Sequence, residues 1–166
     1  KTLPRELKII DLSADFRIQN VELYEKWYGE HHAKELQKEA VYALTEIYRE
    51  KIKKARIIAC PGCYPTSVLL PLLPLIAEGA INEEDIIVDS KSGVTGAGRS
   101  AKQNLLYTEV NDGIAAYGVK GHRHSAEISE NLGANITFVP HLTSMNRGIS
   151  SSIYIKLRTD YATARA

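Results

Sequence analysis

The sequence predicts an α/β arrangement at the front of the chain that passes into antiparallel α+β at the back, and three observations carry this prediction. Short apolar runs at 7–12, 41–44 and 57–59 are each followed by a polar loop or a helical stretch. The second half instead carries two β-runs, 135–142 and 149–157, joined only by residues 143–148. Between them lies Ile-Ile-Ala-Cys-Pro-Gly-Cys-Tyr-Pro-Thr-Ser at 57–67, the stretch around which the rest is organised.

In order, Leu-Lys-Ile-Ile-Asp-Leu at 7–12 reads as a strand, followed by the polar loop Ser13-Ala14-Asp15-Phe16-Arg17. Residues 21–28 and 33–40 read as short helices, separated by Gly29 and the pair His31-His32. After the run at 41–44, Thr45 is placed to cap a helix over 46–54, whose acids come early and bases late, as the helix dipole prefers. Ile57-Ile58-Ala59 is a short buried strand, and Pro61-Gly62 predicts a sharp turn. Pro65 suits the first turn of a helix that Thr66 or Ser67 could cap. That helix is apolar all round, which predicts burial, and Pro71 and Pro74 predict a kink or a split.

Residues 85–90 predict a strong strand and Ser92–Arg99 a glycine-rich loop, with a weakly signalled helix over 100–110. Residues 114–121 predict a strand leading into His122-Arg123-His124. Ser125 is then a candidate cap for a helix through Leu132, with Gly133 just past its end. In the last run Ile153, Ile155 and Leu157 alternate with Tyr154 and Lys156, so one face should be buried. The short connection before it predicts that the two final runs pair antiparallel. Both ends read as cut: nothing precedes the first strand to pair with it, and the tail 160–166 brings no closing element.

A chain of 166 residues is long enough for a real core, and one domain is the default. Its 21 basic and 20 acidic side chains give a formal net charge of +1 with no basic stripe, which argues against nucleic acid or an anionic membrane as the partner. The richest apolar run, 68–77, is short and holds two prolines, so no bilayer span is expected. Two cysteines are too few for a secreted disulfide framework, and the opening residues lack a signal peptide's apolar region. A reducing cytoplasm is the expected setting.

Cys63 stands where a strand hands over to a helix, and the unpaired amides and positive dipole end there favour a thiolate. It reads as the nucleophile, against the alternative of an inert buried cysteine. Cys60 makes the spacing Cys-x-x-Cys, which admits a redox pair, or a zinc site completed by His122 and His124. In an extended stretch His122 and His124 point to one face, with Glu127 close enough to orient an imidazole. His31, His32 and His141 read as surface or edge residues. The loop Ser92-Gly93-Val94-Thr95-Gly96-Ala97-Gly98-Arg99 approaches a dinucleotide fingerprint without matching it, but its amides and Arg99 could cradle an anion.

Three motifs stand in order: Cys-Pro-Gly-Cys-Tyr-Pro-Thr-Ser at 60–67, Lys-Ser-Gly-Val-Thr-Gly-Ala-Gly-Arg at 91–99, and Gly-His-Arg-His-Ser-Ala-Glu-Ile at 121–128. With Asp-Leu-Ser-Ala-Asp-Phe-Arg at 11–17 and Pro-His-Leu-Thr-Ser-Met-Asn-Arg-Gly-Ile at 140–149, they closely resemble the N-acetyl-γ-glutamyl-phosphate reductases, relatives of aspartate-semialdehyde dehydrogenase. The resemblance implies NADPH-dependent reduction of an acyl phosphate to an aldehyde in arginine biosynthesis, with an aminoadipyl counterpart in lysine biosynthesis as the alternative. It implies Cys63 as the nucleophile that forms a thioester and His122 as general acid/base. Arg99, His124, Glu127 and Arg147 are then substrate-binding, and Ser92 and Gly93 lie near the nicotinamide. No resident metal is implied, and a homo-oligomer is.

The implied fold is the end of a Rossmann-type parallel sheet, then a mixed or antiparallel sheet with helices on one face, like the second domain of glyceraldehyde-phosphate dehydrogenase. On that reading residues 1–62 are the remnant of a dinucleotide-binding domain with its connecting helices, and 63–166 form a catalytic and dimerisation domain. The family's opening glycine-rich half and its closing segment have no counterpart here, so the chain reads as an excerpt.

Overall fold

A computed structural model describes residues 3–158, and the tail 160–166 lies outside the described residues. The front half forms a three-stranded parallel sheet of β1 (Ile9–Asp11), β2 (Ala40–Tyr42) and β3 (Ile57–Ala59), with β3 in the middle. Ile57 and Ala59 in that central strand are fully buried. Helix α1 (Val21–Tyr28) follows β1. Asn20 caps it by accepting the Leu23 amide at 3.0 Å, and Gly29 ends it at φ 84°, a conformation that suits glycine. The stretch expected as a second helix is a 3-10 turn at Lys34–Glu39. Helix α2 (Thr45–Lys54) begins at Thr45 itself, with Leu44 in the cap position, so Thr45 does not cap it.

Three residues after β3, helix α3 (Cys63–Ala77) starts at Cys63. The link is extended rather than sharply turned: Gly62 sits at φ −63°, ψ 156°, backbone that any residue adopts. The hydroxyls of Thr66 and Ser67 donate back to the carbonyls of Gly62 and Tyr64, so neither is a cap. α3 runs as one helix through Pro71 and Pro74 instead of splitting. Both prolines lie on its exposed side with Leu70, while Tyr64, Pro65, Val68, Leu69 and Leu72 face the core. Burial on every side, expected from its composition, is therefore not what the helix adopts.

The back half is a mixed four-stranded sheet built from β4 (Ile81–Gly93), β5 (Ile114–Ala116), β6 (Ile136–Thr143) and β7 (Ile149–Leu157), in the order β5-β6-β4-β7. The expected β6–β7 hairpin does not form, because β4 lies between them, parallel to β6 and antiparallel to β7. With Ile86 and Val88 almost completely buried, the thirteen-residue β4 gains most by occupying the centre. β7 alternates as expected, with Ile153 and Ile155 packed against the core. Residues 100–110 form only a 3-10 turn at Gln103–Leu105 and the single-turn α4 (Tyr107–Val110).

Helix α5 (Arg123–Leu132) starts earlier than expected: His122 caps it, not Ser125, and Gly133 closes it in the left-handed conformation. α3 and α5 pack on one face of the mixed sheet, where Tyr64, Leu69, Leu72, Val88, Ile128 and Phe138 share a core. Tyr42 at the end of β2 and Leu44 at the cap of α2 reach the same core and join the two halves. The carboxylate of Glu130 also accepts the amides of Gln19 and Asn20 at 2.7 and 2.8 Å, tying α5 to the start of α1.

Candidate functional site

Cys63 is the first residue of α3 and is exposed, so its thiol stands at the positive end of a fifteen-residue helix. It lines a cavity of about 720 Å³ together with Tyr64, Tyr117, His122 and His124. Trp27 from α1 reaches the same wall, where a Cβ on Gly121 would sit 3.0 Å from its ring. Cations also line it, from Lys102 on the loop after β4 and from Arg123 at the head of α5.

His122 lines the same cavity inside a cage of rings. The ring centroids of His124, Phe138, Tyr117 and Tyr64 lie 4.9, 5.5, 5.6 and 5.9 Å from its own. Burial first, and then the neighbouring Arg123 charge, push its pKa down to about 4. Burial, then His122, Arg123 and Arg17, push His124 down to about 3. Both rings are therefore neutral at pH 7. Among the described residues no hydrogen bond joins Cys63 to either histidine.

Glu127, expected at the substrate, is fully buried. Its Oε1 accepts the Gly62 amide at 2.8 Å and the Tyr42 hydroxyl at 2.9 Å, while Arg17 Nη1 stands 3.9 Å from Oε2. Burial raises its pKa against these stabilising partners. Arg17 also donates from Nε to the Cys60 carbonyl at 2.6 Å and from Nη2 to the Leu12 carbonyl at 2.9 Å. Glu127 and Arg17 thus clamp the segment that carries Cys63, and Glu127 is not among the residues that line the Cys63 cavity.

Four other expectations are corrected. Arg99 and Arg147 are exposed and do not line the Cys63 cavity, where Lys102 and Arg123 stand instead. Ser92, at 3% exposure, and Gly93 belong to β4 and are covered by protein. A Cβ on Gly93 would meet the Arg147 backbone at 2.7 Å, and one on Gly96 would meet Ser92 Oγ at 2.5 Å. These glycines are small so that the loop can pack on itself, and the residues of that loop which line the cavity are Gly96 and Ala97.

Two further readings change. His31, expected at the surface, is buried. Its Nδ1 accepts the Ala33 amide, and its Nε2 faces the carbonyl of Asp15 and the side-chain oxygen of Gln37. For the zinc alternative, no group of three or more His, Cys, Asp or Glu side chains among the described residues is placed to hold a metal. No helix among them is long and apolar enough to cross a membrane.

Trp27, Lys102, Arg123, Arg17 and Tyr42 escaped the sequence reading. Arg17 and Arg123 carried a signal, as members of the quoted 11–17 and 121–128 motifs.

Residues 63–166 match the family described as semialdehyde dehydrogenase, dimerisation domain. The chain is 55% identical over 160 residues to the N-acetyl-gamma-glutamyl-phosphate reductase of Afipia carboxidovorans, a match covering 92% of this chain and 46% of that protein. It is also 55% identical over 164 residues to the probable N-acetyl-gamma-glutamyl-phosphate reductase, chloroplastic, of Arabidopsis thaliana, covering 95% of this chain and 41% of that one. The chain therefore spans about half the length of the curated relatives it matches. The crystal structure of aspartate semialdehyde dehydrogenase II from Vibrio cholerae superposes with a TM-score of 0.57 at 17% identity, over 87% of this chain and 56% of that one, a likeness of fold. By the match that opens at the cysteine heading α3, the chain belongs to the semialdehyde dehydrogenase dimerisation-domain family.

Proposed function

We propose that in the intact protein this chain carries the reacting centre of an N-acetyl-γ-glutamyl-phosphate reductase, which reduces the acyl phosphate to N-acetylglutamate semialdehyde. The observation that carries this reading is Cys63: exposed, first in α3, and lining one cavity together with His122. Its thiolate adds to the acyl carbonyl carbon, phosphate leaves with the C–O bonding pair, and a thioester remains on Sγ. Lys102 and Arg123 supply positive charge for the substrate's phosphate and carboxylate. Tyr117 and Trp27 give the cavity apolar walls.

For a dinucleotide the described residues offer one wall and no cradle. Gly96 and Ala97 flank the space beside Cys63, and the parallel strands described here lead into no glycine-rich phosphate turn. In the intact protein NADPH supplies the hydride that reduces the thioester. The division at 62/63, a homo-oligomer formed through the second part, and a cytoplasmic setting belong to the same proposal. The family's description and the two free cysteines support the last two.

The test is Cys63→Ser in the full-length protein. Acyl-phosphate reduction should fall by about 10³-fold or more, and the covalent acyl-enzyme seen by intact-mass measurement with substrate should disappear. Unchanged turnover in this variant would end the assignment. Comparing kcat/KM for the glutamyl and aminoadipyl substrates separates the two reductases.

A further inference from the structure

We infer that His31 and Gln37 are positioning residues for Cys63: together they fix the turn that carries Arg17, and Arg17 fixes the segment from which α3 starts. This rests on the reading of Cys63 as the reacting group and gives it a support outside the cavity.

His31 is buried, and each of its ring nitrogens has a separate task. Nδ1 accepts the Ala33 amide at 3.1 Å, at the start of the 3-10 turn Lys34–Glu39. A backbone N–H can only donate, so Nδ1 presents a lone pair and the proton of the neutral ring is on Nε2. That nitrogen lies 2.7 Å from the Asp15 carbonyl oxygen and 2.9 Å from Gln37 Oε1, two acceptors that share its N–H. With its oxygen turned to the ring, the Gln37 amide donates from Nε2 to the Ile18 carbonyl at 2.6 Å. The rings of Tyr24 and Phe16 lie against the imidazole, with centroids 4.6 and 5.8 Å away. The Tyr24 hydroxyl also donates to the Asp15 carboxylate at 2.7 Å.

Asp15 and Ile18 bracket Arg17. The turn is held at both of their carbonyls and closed by the Arg17 amide, which donates to the Ala14 carbonyl at 3.2 Å. Its guanidinium then reaches three acceptors from a fixed base: the Cys60 carbonyl at 2.6 Å, the Leu12 carbonyl at 2.9 Å, and Glu127 Oε2 at 3.9 Å. Glu127 in turn accepts the Gly62 amide at 2.8 Å. Cys60 and Gly62 flank Pro61 directly before Cys63, so the backbone entering α3 is gripped on both sides of the proline.

His31, Gln37 and Arg17 are not among the residues that line the Cys63 cavity. Loosening their turn displaces Sγ without removing a group that holds substrate, and a displaced nucleophile slows the bound complex more than it weakens binding. The two ring nitrogens allow this role to be separated from plain support of the fold. Nδ1 serves the 3-10 turn, while Nε2 serves the turn that carries Arg17.

The test compares two variants of the full-length protein. His31→Gln keeps an N–H near the Nε2 position and gives up the acceptor for Ala33, whereas His31→Asn keeps an acceptor near Nδ1 and gives up the N–H to Asp15. His31→Asn should lose about 10-fold in kcat and in the rate of Cys63 alkylation by iodoacetamide, read by peptide mass, with KM within about twofold of wild type. His31→Gln should stay within about twofold of wild type in all three, although its urea midpoint falls. Gln37→Met removes the donor to Ile18 with little change in volume and should repeat the His31→Asn result, which decides the matter if His31→Asn does not fold. Losses in kcat that simply follow the urea midpoints overturn the inference, as does wild-type alkylation in both His31→Asn and Gln37→Met. Persistence of turnover in Cys63→Ser would instead defeat the acyl-phosphate reading, and the alkylation rates would still report whether His31 positions the thiol.

Discussion

Gly62 is a glycine because of space. A Cβ there would lie 2.9 Å from His124 Nε2 and 3.0 Å from Glu127 Oε2, so the residue before Cys63 is pressed against α5 from the front sheet's side. Glu127 makes that contact cohesive by accepting from the Gly62 amide and the Tyr42 hydroxyl. Glu127→Ala would leave both donors buried without a partner, at a cost on the order of 3 kcal/mol. Denaturant unfolding should show that loss together with slower alkylation of Cys63, and KM should stay near wild type. A raised KM with unchanged stability would instead mean that Glu127 holds substrate. The carboxylate and Tyr42 are 85 residues apart in the chain, so no local pattern advertised the pair.

At the scale of elements, α3 separates composition from environment. Leu69 is completely buried and its neighbour Leu70 is 36% exposed, although a list of residues gives them the same character. Leu69→Ala should cost about 2–5 kcal/mol and Leu70→Ala no more than about 0.5 kcal/mol in chemical denaturation. Equal losses would mean that α3 is enclosed on all sides. The two prolines fit this asymmetry, because a missing intrahelical hydrogen bond costs least where water can reach the freed carbonyl. α1 was legible almost residue by residue, since Asn20 and Gly29 mark its ends chemically. The β6–β7 pairing was misread for a physical reason. A short connection limits how far apart two strands lie, but the burial demanded by Ile86 and Val88 placed β4 between them.

At the scale of the whole molecule, the junction of the two sheets carries an acid-sensitive device. His122 and His124 are neutral when folded, with pKa values of about 4 and 3 against 6.5 in an exposed chain. Between those limits the unfolded state binds the extra protons, so stability is full above about pH 6.5 and falls as pH drops toward 4 and then 3. His124, 8% exposed, accounts for on the order of 3–5 kcal/mol of that fall. Glu127 has the opposite sign: its raised pKa favours the folded state at low pH, and that contribution disappears as pH rises through its folded value. Urea midpoints measured from pH 7.5 to 4 should therefore slope downward on the acid side, and His124→Gln should flatten the slope. An identical slope in that variant would place the acid sensitivity elsewhere.

The sequence by itself determined the alternation of elements, the position of Cys63 at the junction of strand and helix, and the imidazole motif at 122–124, because each is written in neighbouring residues whose dihedral preferences and capping groups act over a few positions. Tertiary structure alone decided that β4 is central, that Lys102 and Arg123 rather than Arg99 and Arg147 line the cavity, and that Glu127 packs against a tyrosine and an arginine. These outcomes turn on which buried polar groups find partners and which apolar strands are covered on both faces. Both are set by contacts between segments far apart in the chain, and neither leaves a periodicity to read.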